Sequence, residues 1–230
     1  VLSSNLAFFC MLYTTDEDAP KVSIHFHSLA QLWIAGVNGA FLTGDLFNLF
    51  VFFEILLVAS YGLLMLGHGA RRARAGLHYV LLNVLGSSIF LIGIAIIYGT
   101  TGTLNMADLA HKLANAEPEN IPLIATGGML LLVVFGLKGA LFPLYFWLPS
   151  TYAAASAPVA ALFSNMTKVG IYSIIRVFSL MFGANAAGDL ANLIMPWLWP
   201  MAFITLILGA FGAIAARELR VQVSYLVVIS

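Results

Sequence analysis

Cysteine is nearly absent from this sequence: Cys10 is the only one, so an internal disulfide and a multi-cysteine metal site are both excluded. Lying in an apolar run, it reads as a small core residue. Charge is scarce as well, at 9% of residues, where an ordinary soluble domain carries about 25%. The ten basic and ten acidic residues cancel, and nothing in that balance suggests nucleic acid or an acidic substrate as a partner. A glycine-rich phosphate loop, a dinucleotide fingerprint, a zinc signature and a nucleophile elbow are all missing. A soluble-type enzyme is therefore disfavoured, and neither a cofactor nor a resident metal is expected. His25 and His27 stand two apart with no third ligand nearby and read as interfacial. No targeting segment can be read.

What fills the chain instead is apolar sequence. Hydrophobic residues make up 61%, and the mean hydropathy is +0.98. These values describe an integral, all-α polytopic membrane protein. With about 20 apolar residues per crossing, spans are expected near 1–13, 28–43, 45–66, 76–99, 122–146, 157–182 and 197–216, with another beginning near 219. That is a fragment of about seven to eight spans. The chain opens on Val1 and closes inside the apolar run VSYLVVIS, as a piece of a longer polypeptide would.

Between the first two spans, TTDEDAPKVSIHFH with Pro20 reads as an extramembrane loop. The segment GHGARRARAG, with Arg71, Arg72 and Arg74, and the short loop at 216–220, with Arg217 and Arg220, belong on the cytoplasmic side by the positive-inside rule. Four spans separate them, so the count closes. Residues 103–115 suit a short interfacial helix capped by Thr103 or Asn105.

The stretch IPLIATGGMLLLVVFGLKGALFPLYFWLP holds the main anomaly. A helix entering the bilayer at Pro122 has climbed roughly 24 Å, at ~1.5 Å per residue, when it reaches Lys138. Five residues later Pro143 deprives the carbonyl of Gly139 of its helical partner, so a break is expected over Gly139 to Pro143. A charge in hydrocarbon costs at least about 2.5 kcal/mol and is kept where it meets a partner or water. Broken helices at membrane depth are tolerated on the same condition. Glu54, nine positions after Asp45, and Lys168, ten after Pro158, lie at comparable depth. One acid and two amines at mid-membrane fit a proton relay, whereas a static ion pair is the structural alternative. Asp45 at a span start reads as a helix cap, Arg176 as a side chain reaching the interface, and His78 as a group at a pathway mouth.

The segments GVNGAFLTGDLFNLFVFFEILLVASYGL (residues 36–63) and FGLKGALFPLYFWLPSTYAAASAPVAALFSNMTKVGIY (residues 135–172) resemble the D subunit of Mrp-type (Mnh, Pha) multisubunit cation/proton antiporters. That family is related to the antiporter-like membrane subunits of respiratory complex I. The resemblance implies about fourteen spans in a complete subunit, built from two inverted five-helix repeats. Residues 1–27 would then be the end of a span and a cytoplasmic loop, 28–182 the first repeat, and 183–230 a loop and the start of the second. It further implies partner subunits in a hetero-oligomer in a prokaryotic plasma membrane, with H⁺ exchanged for Na⁺ or K⁺. By the same resemblance Glu54 corresponds to the family's fifth-span glutamate, Lys138 to the lysine of the broken seventh span, and Lys168 to the eighth-span lysine. Related subunits often carry a histidine shortly after the WLP element; this chain reads STYAAASAP there, so no proton-carrying role passes to that loop. A redox-driven pump, in a NADH-quinone oxidoreductase or membrane-bound hydrogenase, is the alternative on the same fold. A scaffold whose buried charges only lock packing is a third.

Overall fold

A computed structural model describes residues 1–15, 23–67 and 69–230. They form eleven helices: α1 (Leu2–Thr15), α2 (Phe26–Leu42), α3 (Leu46–Met65), α4 (Ala70–Thr101), α5 (Met106–Ala114), α6 (Ile121–Lys138), α7 (Trp147–Ala154), α8 (Ala157–Ser164), α9 (Met166–Met181), α10 (Met195–Ala215) and α11 (Leu219–Ile229). A 3-10 turn, Gly188–Leu190, precedes α10. The described residues contain no strand beyond one isolated bridge, Asp45 with Asn105. Half of the loop expected at 14–27 falls on residues 16–22, which lie outside the described residues.

Local chemistry sets several helix ends. Asp45 caps α3, its carboxylate accepting from the Asn48 N–H at 2.9 Å. Of the two candidate caps for α5, Asn105 holds the position, accepting from Ala107 N at 3.0 Å and Asp108 N at 3.2 Å. The two caps lie side by side, because Leu46 N donates to Leu104 O and Met106 N to Gly44 O, each at 2.9 Å. α5 buries Met106, Leu109 and Leu113 and turns Asp108 and Lys112 outward, 3.3 Å apart. The Thr103 hydroxyl, then Lys112, holds the Asp108 carboxyl below the usual carboxylate range.

Two expected boundaries shift. Arg71, Arg72 and Arg74 lie on helix, within the first turns of α4. Alanine and arginine are among the strongest helix formers, so α4 starts before the apolar run does. The expected 157–182 span divides at Asn165 into α8 and α9. There Asn165 N bonds Leu162 O and Lys168 N bonds Asn165 O, a three-residue spacing tighter than the α-helix, while the Asn165 amide donates to Ser3 Oγ of α1.

Four helical stretches are long and apolar enough to cross a membrane: Leu46–Met65, Ala70–Thr101, Ile121–Lys138 and Gly188–Ala215. α2, with 17 residues, and α9, with 16, fall short of that length. The centre is aromatic. Phe53 of α3, Phe90 of α4 and Phe135 of α6 meet with ring centroids 5.3 to 6.3 Å apart. Close backbone contacts bring the helices together. A Cβ at Gly36 would stand 2.7 Å from Leu56 N, and one at Gly170 of α9 only 2.4 Å from Gly139 N.

Candidate functional site

α6 ends at Lys138, its last helical residue. Ala140 N bonds Leu137 O and Leu141 N reaches back to Gly136 O, the paired bonds of a Schellman cap. The cap needs a left-handed residue, and Ala140 takes it at φ 54°, a conformation costing an alanine about 1–2 kcal/mol. The chain then turns over residues 139–146 before α7 begins at Trp147. The chain leaves the helix at the left-handed Ala140, ahead of Pro143. Trp147 Nε1 donates to Leu137 O at 3.1 Å, a second donor on that carbonyl beside Ala140 N. Thr205 Oγ1 of α10 accepts from Phe142 N at 2.7 Å.

Lys138 is 1% exposed. Its ammonium donates to Asn83 Oδ1 at 2.9 Å and lies 6.0 Å from the centre of the Phe53 ring. Glu54 is half-buried and accepts from the Ser87 hydroxyl. Asn83 and Ser87 are four residues apart on α4, so they share one face, separated by about 6 Å along the axis. The acid and the amine are thus bound to adjacent turns of one helix. Among the described residues the ion pairs within 4.0 Å are Arg71–Glu218 and Lys112–Asp108, so the static ion pair weighed as the structural alternative does not form between Glu54 and Lys138, and each bonds a neutral side chain instead. One turn earlier on the same face, Tyr79 shares a 2.7 Å hydrogen bond with Ser60 of α3.

Lys168 stands apart from this pair. It is half-buried, and its amine donates to Ser230 Oγ at the end of α11. Its helix nonetheless touches the α6 terminus, since Gly170 packs against the backbone of Lys138 and Gly139. The expected seam of three groups is accordingly a closely set acid and amine with a second amine on the neighbouring helix. Asp45 serves as a cap at the far end of α3 from Met65. His78 is exposed and lines a cleft of about 500 Å³ with Arg71, Arg74, Ser150 and Glu218. Arg176 donates from Nη1 to Tyr172 Oη at 2.7 Å, while its buried Nε has no partner among the described residues. Among the described residues, no three His, Cys, Asp or Glu gather as metal ligands would.

Sequence reasoning missed Tyr79, Asn83 and Ser87. Their signal was available: polar side chains at i, i+4 and i+8 in an apolar span mark an inward polar stripe. It also missed a three-arginine clamp. Arg71, Arg72 and Arg220 donate in turn to the carbonyls of Ala153 (3.4 Å), Ala154 (3.0 Å) and Ala155 (3.5 Å). These are the orphan acceptors at the end of α7, where positive charge also suits the helix dipole.

Residues 43–228 match the protein-family model described as NADH:quinone oxidoreductase/Mrp antiporter, TM. The D subunit of a probable K⁺/H⁺ antiporter from Rhizobium meliloti is 52% identical over 206 residues, covering 90% of this chain and 38% of the relative. The D subunit of a Na⁺/H⁺ antiporter from Bacillus subtilis is 47% identical over 201 residues, covering 87% and 39%. Among solved structures, the Mrp complex from Dietzia sp. DQ12-45-1b aligns with a TM-score of 0.86 at 33% identity, over 99% of this chain and 41% of that one. The membrane-bound sulfane sulfur reductase, an archaeal respiratory membrane complex, aligns with a TM-score of 0.89 at 31% identity, over 99% and 46%. The chain spans less than half the length of these relatives.

Proposed function

The chain belongs to the NADH:quinone oxidoreductase/Mrp antiporter membrane-subunit family, and on that premise we propose that it is part of the D subunit of a multisubunit Na⁺ or K⁺/H⁺ antiporter. The 52% identity to the D subunit of a K⁺/H⁺ antiporter, against 31% to the sulfane sulfur reductase, favours exchange over a redox-driven pump. In this reading the chain lies in a prokaryotic plasma membrane among other subunits of the complex. It contributes seven to eight spans, with α6 and α7 forming the two halves of one broken span. Residues 28–182 make up the first five-helix repeat, flanked by 1–27 and by 183–230, where the second repeat begins.

Lys138 carries the proposal: an ammonium 1% exposed and placed at a helix terminus inside the bundle. Buried amines of this kind in a membrane mark ion pathways. Glu54 of α3, bound by Ser87 one turn farther along α4 than Asn83, biases that amine electrostatically, and Lys168 on α9 receives the proton next. A membrane potential supplies about 2.3 kcal/mol per charge per 100 mV, enough to drive such a relay. Na⁺- or K⁺-induced collapse of a pH gradient, in everted vesicles carrying the whole complex, tests the reading. Lys138→Ala and Glu54→Ala should each lower exchange at least tenfold while the complex still assembles; wild-type exchange by both refutes the relay.

A further inference from the structure

Building on that relay, we propose that Asn83 is a positioning residue that keeps the amine of Lys138 engaged with a neutral acceptor and apart from the carboxylate of Glu54. Asn83 is 1% exposed, and each end of its amide has a defined partner. Nδ2 donates to Tyr79 O, one turn back on α4, at 2.8 Å. A carbonyl only accepts and an ammonium only donates, so the two partners fix the amide orientation and turn Oδ1 toward Lys138. The oxygen meets the ammonium at 2.9 Å across the α4–α6 contact. The same helix face holds Glu54 one turn farther along, through Ser87.

The chemistry follows from that spacing. A bare ammonium in an apolar core needs an acceptor, and a carboxylate in contact would be the strongest one. Attraction between opposite charges falls inversely with distance, so a carboxylate in contact would trap the amine in its charged form and arrest any relay. A neutral oxygen meets the need for an acceptor without adding a charge. Glu54 then acts on the amine at a distance, where a change in its own protonation still alters the field at Lys138. Ser87 supports the arrangement by tying Glu54 to its own turn.

The full complex in everted vesicles tests this with three variants and a control. Asn83→Asp keeps size and shape but places a carboxylate on the amine; exchange turnover should drop at least tenfold with the cation KM within twofold of wild type. Asn83→Leu removes the acceptor and should lower turnover comparably, again with KM little changed. Asn83→Thr keeps a neutral oxygen and should retain at least a third of wild-type turnover. A role in packing alone predicts the reverse order, with the isosteric Asp mildest. Wild-type turnover in either the Asp or the Leu variant overturns the inference, as does failure of both to assemble on a native gel. Lys138→Ala is the control: if it exchanges normally, the relay itself fails, whereas its loss together with normal Asn83→Asp exchange sinks only the part given to Asn83.

Discussion

Asn83 and Ser87, one turn apart on α4, hold the amine of Lys138 and the carboxylate of Glu54, so opposite charges share a helix face without touching. The bond to Ser87 should tune Glu54 and not create its role. A hydrogen bond to a charged group is worth about 1.5–3 kcal/mol, which bounds the slowing by Ser87→Ala at roughly 10- to 150-fold, and it should slow exchange less than Glu54→Ala does. Initial rates of cation-induced gradient collapse measure both.

Gly170 admits no side chain, because its Cβ would lie 2.4 Å from Gly139 N, a backbone atom that cannot yield. Gly170→Ala should push α9 away from α6 and destabilise the protein by about 1–3 kcal/mol. Gly136→Ala should be tolerated, since the nearest atom there, Met201 Cε, is 3.7 Å away. Thermal unfolding of the two variants in detergent provides the comparison.

Ala140 adopts its left-handed backbone, φ 54°, without glycine's freedom. Ala140→Gly should therefore be neutral or stabilising by up to about 1 kcal/mol, after allowing for the extra entropy of glycine in the unfolded chain. A lower thermal midpoint than wild type would contradict the assigned cap.

Arg72 serves two carbonyls at once, Ala154 O from Nε at 3.0 Å and Leu66 O from Nη1. Arg72→Ala strips both and should cost about 1–3 kcal/mol. Arg72→Lys should recover little of it, because a single ammonium lacks the planar fork that reaches both acceptors. Unfolding midpoints for the pair check this.

Asp108 has its folded-state titration lowered, first by the Thr103 hydroxyl. A depressed carboxyl contributes stability above its unfolded range and loses it as pH falls through the folded value. The start of α5 should hence loosen only in acid, and Thr103→Val should move that loosening toward neutral pH. Carboxyl chemical shifts of Asp108 followed through an acid titration report the change.

Interactions that close within a few residues were legible in the sequence. Asp45 as the α3 cap and Asn105 as one of two candidates for α5 follow from side chains meeting backbone N–H groups two or three positions on. The burial of Lys138 followed from its place in a long apolar run, and the end of its helix from the neighbouring Gly139 and Pro143. The partner of Lys138 did not follow. Asn83 is 55 residues away, and their meeting depends on how α4 and α6 are rotated about their axes. The polar stripe of α4 marks its inward face, but α6, apolar nearly all round, carries no stripe to say which way Lys138 turns. The same ambiguity hid the divergence of Lys168 toward Ser230, and the convergence of Arg71, Arg72 and Arg220 on the end of α7. Sequence determined that apolar helices fill the chain and which of their residues carry charge; only packing, through contacts such as Gly170 on Gly139, decided which charges face one another.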